Sequence, residues 1–198
     1  MAEFKDRVVL VTGAGRGTGR AVAQAFAASG AAVAVNDVTP INLDETVRLI
    51  RDAGGKVKDY VEDIAKKMPV QTLLNQVLDD YGRIDILVNC AEVEPVHVLL
   101  DMDEWDWQRT LDVNLTGPFL LTQSLGRILR EKGGGVIVHV GERARGPEKR
   151  AAYFASKAGL AALTALAAVE LADLNIRVHH VHPEEVKDVV AEVLALCA

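Results

Sequence analysis

Tyr153 and Lys157 lie four residues apart in Tyr153-Phe154-Ala155-Ser156-Lys157, a spacing that puts both side chains on one face of a helix. A phenol titrating near 10 is a poor base at neutral pH, but an ammonium beside it favours the phenolate. Such a pair is suited to general acid–base work near neutral pH. In isolation the pattern is more often an ordinary surface pair, so its meaning depends on what accompanies it. The second group is Val8-Val9-Leu10-Val11-Thr12-Gly13-Ala14-Gly15-Arg16-Gly17-Thr18-Gly19, an apolar run that ends in glycines and passes directly into an alanine-rich helical pattern over 20–28. Glycines allow a sharp turn and a close backbone approach to a pyrophosphate, and the helix N-terminus then stabilises its charge. Asp37 closes the next apolar run. A carboxylate there accepts both hydroxyls of an adenosine ribose and repels a 2′-phosphate, which favours NAD over NADP; the plainer alternative is a turn aspartate capping the following helix. Arg16 argues mildly for a 2′-phosphate, but the clash at Asp37 is the more direct effect, and NAD is the expected cofactor. Asp63, followed by Ile64, either bonds the adenine edge or caps the helix after it.

The elements that must position these groups are legible as alternating short and long patterns. Strands are expected at 8–11, 32–36, 56–61, 84–89, 136–140 and 176–181, where brevity and β-branched content suit a buried parallel sheet. Helices are expected at 17–29, 43–53, 66–81, 102–131, 152–174 and about 184–196, with turn signals at Gly30, Gly54-Gly55, Gly82 and Gly133-Gly134-Gly135. Strict alternation with right-handed crossovers implies an α/β doubly wound parallel sheet. This is a Rossmann fold of about six strands in the order 3-2-1-4-5-6, with helices on both faces. With 198 residues and no repeat or linker, residues 1–198 read as a single domain. A net charge of −6 gives no reason to expect nucleic acid or an acidic membrane as partner. Cys90 and Cys197 make no disulfide framework, the N-terminus lacks an apolar signal core, and no run approaches transmembrane length, so a cytoplasmic location is expected.

Taken in order, these motifs resemble the short-chain dehydrogenase/reductase family over nearly the whole chain. They are Thr12-Gly13-x-x-x-Gly17-x-Gly19, Asn36-Asp37, Gly82-Arg83-Ile84-Asp85-Ile86-Leu87-Val88-Asn89, Leu111-Asp112-Val113-Asn114-Leu115-Thr116-Gly117 and Tyr153-x-x-x-Lys157. The resemblance implies hydride transfer between a nicotinamide dinucleotide and a small alcohol or carbonyl. Tyr153 would be the acid/base, with Lys157 lowering its pKa and holding the nicotinamide ribose. Asn114 would anchor a water that relays protons to Lys157, and Asn89, Ala91 and Pro183 would complete the cofactor pocket. It also implies a homo-oligomer, a dimer or tetramer, paired through helices 102–131 and 152–174.

Four departures from the family pattern stand out. Glu142 occupies the position of the family's serine. An ionised glutamate there repels a developing oxyanion, a protonated one can donate to it, and a shortened loop can turn it outward. Glu92 replaces a glycine in Asn89-Cys90-Ala91-Glu92, adding bulk and charge at the nicotinamide end. The family's Pro-Gly after the sixth strand reads Pro183-Glu184. Pro183 then leads straight into Glu184-Glu185-Val186-Lys187-Asp188-Val189-Val190, which reads as a deleted substrate lid and a lost edge strand. Among other candidates, His180 and His182 share a strand face and could hold a metal with Glu142 or Glu184, but strand histidines packed against helices are the stronger expectation, and no metal site is assigned. Arg143, Arg145, Lys149 and Arg150 form a basic loop that either steers an anionic substrate or is simply solvated. Trp105 and Trp107 read as packing residues rather than a stacking platform.

Overall fold

The computed structural model describes residues 3–141, 148–182 and 185–198. Six parallel strands form one sheet: β1 Val8–Thr12, β2 Ala32–Asp37, β3 Lys56–Val61, β4 Ile86–Asn89, β5 Gly135–Val140 and β6 Ile176–Val181, in the order β3-β2-β1-β4-β5-β6. All five residues of central β1 are buried, as the β-branched run demands of a strand covered on both faces. Edge strand β3 instead alternates, with Lys56 and Lys58 exposed, a composition that discourages a further strand from pairing there.

Helices α1 Gly17–Ala28, α2 Pro40–Asp52 and α7 Val186–Cys197 cover one face, burying Phe26, Leu43 and Val189 with Phe4 against Val9, Val11 and Val35. Helices α3 Lys67–Tyr81, α5 Gly117–Lys132 and α6 Ala151–Glu170 cover the other with Leu73, Leu121, Leu125 and Ala167 against Leu10, Leu87 and Ile137. The short α4, Glu104–Leu111, precedes α5. Parallel register brings Thr12 level with Asn36 on one side and Asn89 on the other, so three strand ends finish together. The sheet order reverses between β1 and β4, and the crevice that opens beyond that point is where a ligand binds in such sheets.

Several boundaries differ from expectation, each for a local reason. Helix α2 begins at Pro40 rather than 43, because proline is preorganised for a first helical position. β4 begins at Ile86; Asp85 already donates to Val8 O at 2.9 Å, and its carboxylate accepts the Val8 N–H at 2.8 Å. The expected helix 102–131 starts after Asp103, whose side chain caps the Asp106 N–H at 2.7 Å, and it is interrupted by a π-helical turn, Asp112–Thr116. The expected helix 152–174 ends at Glu170, followed by a 3₁₀ turn at Ala172–Leu174. The expectation that no run approaches transmembrane length needs correction. Helix α6 is 20 residues long and apolar enough to cross a membrane by composition. It is a core helix here, burying Tyr153, Ser156, Lys157, Leu160 and Thr164. Trp105 and Trp107 are corrected too: at 71% and 36% exposed they are not core packing, and Trp105 stands on the wall of the crevice.

Candidate active site

A cleft of about 870 Å³ opens beyond the C-terminal ends of β1 to β4, lined by Gly13, Arg16, Gly17, Thr18, Gly19, Asp37, Asp63, Ile64 and Ala91 among the residues expected from the sequence. Gly13 holds φ +63°, and a Cβ on it would lie 2.5 Å from Ala91 Cα, so the loop and the start of the next crossover touch backbone to backbone. Gly15 sits behind the cleft surface; its N–H donates to Asp37 Oδ2 at 3.1 Å, and a Cβ there would fall 2.7 Å from that oxygen. The other Asp37 oxygen accepts the Thr39 N–H at 3.0 Å. Asp37 therefore closes its own turn, without capping α2, and also faces the cleft. A carboxylate offers about four acceptor sites, which leaves capacity for a sugar diol.

The glycine loop is braced from behind by residues the sequence reading did not single out. Buried Thr46 donates from Oγ1 to Ala14 O at 2.9 Å and accepts Arg20 Nε at 3.0 Å. Arg20 also donates to Gly15 O and pairs with Glu45 at 3.0 Å. These contacts turn the carbonyls away from the cleft, while residues 17–19 at the start of α1 line it, with no acidic side chain in that first turn. Exposed Arg16 forms the lip. Nothing in the local sequence marks Thr46 or Arg20 as partners, because they are 26 residues apart and meet only through the fold.

Asp63 accepts the Ala65 N–H at 3.1 Å, which closes a turn ahead of α3 rather than capping that helix, and it also receives Arg109 Nη1 at 2.9 Å from α4. Burial pushes its carboxyl upward, but the bonds from Arg109 and Ala65 outweigh it and hold it below the ordinary range. Asn89 is buried beneath the cleft rather than on its surface, and neither end of its amide has a hydrogen-bond partner among the described residues.

At the far end, Tyr153 and Lys157 come together on the inner face of α6, only 2% and 4% exposed. Lys157 Nζ lies 5.4 Å from the Tyr153 ring centre and donates to Val140 O at 3.1 Å. One oxygen of Glu92 joins both residues, accepting Tyr153 OH at 3.2 Å and pairing with Lys157 Nζ at 2.9 Å. Glu92 lines the cleft; Tyr153 and Lys157, behind it, do not. Asn114 projects from the π-helical turn, which widens the helix locally and sets the side chain inward. Its Nδ2 donates to Val93 O at 2.9 Å and to Ser156 Oγ at 3.1 Å, and its Oδ1 accepts the Val93 N–H at 2.9 Å. Both amide hydrogens are thus spent on clamping the 91–95 segment to α6, leaving one lone pair on Oδ1 for any further contact.

Buried His139 is bonded on both ring nitrogens, to Thr122 at 3.1 Å and Thr164 at 3.2 Å, and is pushed down to about 3 by burial and by the nearby His180 and Lys157. His180 and His182 pack edge to face at 4.2 Å, and no three potential metal ligands converge among the described residues. Of the expected basic loop, Lys149 is exposed and Arg150 is not simply solvated: its Nε pairs with Glu94, on the cleft wall, at 2.6 Å. Glu142, Arg143, Arg145, Pro183 and Glu184 lie outside the described residues.

The residues present suit a dinucleotide. The loop's close contacts exclude a Cβ, the N-terminus of α1 is clear of negative charge, and a carboxylate stands at one end with a buried phenol and ammonium at the other. Comparison with known proteins agrees. An uncharacterized oxidoreductase of Thermotoga maritima is 40% identical over 182 residues, covering 91% of this chain and 72% of its own. A metagenomic short-chain oxidoreductase solved with NADP superposes with a TM-score of 0.93 at 31% identity, covering 98% of this chain and 91% of that one. NAD⁺-bound xylitol dehydrogenase superposes at 0.86 with 34% identity, covering 91% and 71%. The family model described as short chain dehydrogenase matches residues 7–194, and with motif order, strand order and cleft all in agreement over that span, the chain belongs to the short-chain dehydrogenase family.

Proposed function

We propose that the chain is an oxidoreductase that moves a hydride between NAD(H) and a small alcohol or carbonyl, with Tyr153 as the acid/base. The observation that carries this is the Tyr153–Lys157 pair, buried on α6 directly behind Glu92, which lines the cleft whose other end is Asp37 and the glycine loop. Family members use nicotinamide cofactors, and relatives occur with either dinucleotide. The choice of NAD rests on Asp37, whose carboxylate is held in place by two backbone N–H groups. Asp37 would hold the adenosine ribose, the N–H groups of 17–19 the pyrophosphate, and Lys157 the nicotinamide ribose; when bound, the nicotinamide supplies or accepts the hydride. Tyr153 gives its hydroxyl proton to the substrate oxygen in reduction and takes it back in oxidation, and the Lys157 ammonium favours the phenolate left behind. Replacing Tyr153 with phenylalanine is expected to lower turnover by about 10²-fold or more in a protein that still binds NADH; unchanged turnover in the purified variant refutes the assignment.

A second reading, a catalytically weak or inactive NAD-binding protein such as a sensor or assembly partner, is favoured by one observation. Glu92 holds both members of the pair. Glu142 in the serine position points the same way, since an ionised group there repels the oxyanion. NADH binding without turnover across a broad alcohol and carbonyl panel supports this reading. Only four residues separate the end of β6 at Val181 from α7 at Val186, which supports a shortened family member without a substrate-covering segment at that point. A cytoplasmic homo-oligomer is proposed through the outer groove of α5 and α6, where Phe119, Leu166 and Val169 are exposed.

A further inference from the structure

We infer that Glu92 is an internal competitor that closes the nicotinamide end of the cleft, so that a dinucleotide binds by its adenosine half until the Glu92 side chain swings aside. The inference rests on the dinucleotide reading above and adds a gate to it. A ligand that reaches Tyr153 and Lys157 must take over the hydrogen bonds that Glu92 Oε2 now receives at 3.2 and 2.9 Å. Lys157 is almost wholly buried, and when the carboxylate leaves, its ammonium keeps the Val140 carbonyl but loses its charged partner, which favours a replacement acceptor. A newcomer therefore displaces the carboxylate only if it brings acceptor oxygens of its own, as a sugar diol does.

Glu92 is the movable member of the three. Its side chain is 23% exposed against 3% for Lys157, and it alone of the three borders the cleft. The backbone beside it is fixed, because Asn114 bonds Val93 through both N–H and C=O at 2.9 Å. Opening is thus a rotation of one long side chain, and shortening that side chain clears the path without releasing the segment.

The test compares two probes on the wild-type chain and the variants Glu92→Gly and Glu92→Gln. ADP carries only the adenosine end, and NADH carries both ends. Wild-type protein is expected to bind the two within about threefold of each other; Glu92→Gly should leave ADP affinity unchanged and tighten NADH by about tenfold or more. Glu92→Gln keeps the bulk but loses the ion pair, and a gain of about threefold is expected. An NADH-to-ADP ratio that is the same in wild type and both variants overturns the gate while leaving dinucleotide binding in place. If neither probe binds any of the three proteins, the dinucleotide reading falls and the gate falls with it. If Glu92→Gly alone loses ADP affinity, its segment has collapsed and the Glu92→Gln ratio decides: a rise supports the gate and no change overturns it.

Discussion

Removing the charge at Asp37 while keeping its shape should convert the cofactor preference, and the size of the effect follows from how that carboxylate is held. Its oxygens accept Gly15 N–H at 3.1 Å and Thr39 N–H at 3.0 Å, so it cannot easily rotate away from an incoming group. A 2′-phosphate brought to about 4 Å meets a repulsion of about 4 kcal/mol per unit charge at an effective dielectric of about 20. The site opens to solvent and salt, which reduces this to about 2 kcal/mol, or about 30-fold in affinity. In Asp37→Asn, NADPH should gain about that factor. NADH should lose about fivefold to tenfold, because the ribose hydroxyls no longer meet an ionised acceptor. The NADPH-to-NADH ratio thus moves by about 10²-fold. Asparagine can satisfy only one of the two backbone N–H groups and turns its own NH₂ toward the other, so the variant should also melt about 3–6 °C lower. Fluorescence titration with each reduced dinucleotide, at one salt concentration, reads the ratio directly. Equal affinities in the wild type, or a ratio untouched by the substitution, would refute the reasoning.

Two further predictions concern groups away from the reacting atoms. Thr46→Val keeps shape but leaves Ala14 O without its hydroxyl donor and Arg20 Nε without an acceptor; a loss of about 1–3 kcal/mol in urea unfolding and several-fold weaker NADH binding are expected. If both measurements match the wild type, the brace behind the glycine loop has no role. Acid sensitivity should come from the buried imidazoles. His139 is pushed down to about 3 and His180 to about 4, each chiefly by burial, from the ordinary 6.5. The unfolded chain therefore takes up these protons first. Their contribution to stability is complete above about pH 6.5 and declines as pH falls toward the folded values, by about 1.4 kcal/mol per unit for fully buried His139 and by less for half-buried, solvent-screened His180. Between pH 7 and 5, His139→Gln should lose about 2 kcal/mol less unfolding free energy than the wild type; identical slopes would show that His139 does not titrate this way.

The central strands were legible in the sequence because a strand buried on both faces needs an unbroken apolar run, as in β1 and β4, while edge strands β3 and β6 carry charged or histidine residues and show only as short β-branched patterns. Six parallel strands followed from the alternation of short and long patterns, and the order 3-2-1-4-5-6 from the dinucleotide-type glycine loop after the first strand. The glycine loop was legible too, since Gly13 and Gly15 stand where no Cβ fits and such a demand appears directly as composition. Tyr153 and Lys157 share a face by helical period alone. Helix interruption was not legible: Asp112, Val113, Asn114 and Thr116 are weak helix formers but no local pattern specifies a π turn, and this one is held by the bonds Asn114 makes to a segment 21 residues away. Nor was the brace of Thr46 and Arg20, which only the packing of α2 against the loop brings together.

The chain by itself thus determined the α/β frame, the glycine loop, Asp37 at one end of the cleft and the tyrosine–lysine pair at the other. Each of these is a local demand of backbone geometry or helical period. Tertiary structure alone decided that Glu92, 61 residues before Tyr153 in the chain, reaches across to hold both members of that pair. The physical reason is that a side chain's hydrogen-bond partner depends on where two crossovers place their ends, and no local pattern encodes that distance.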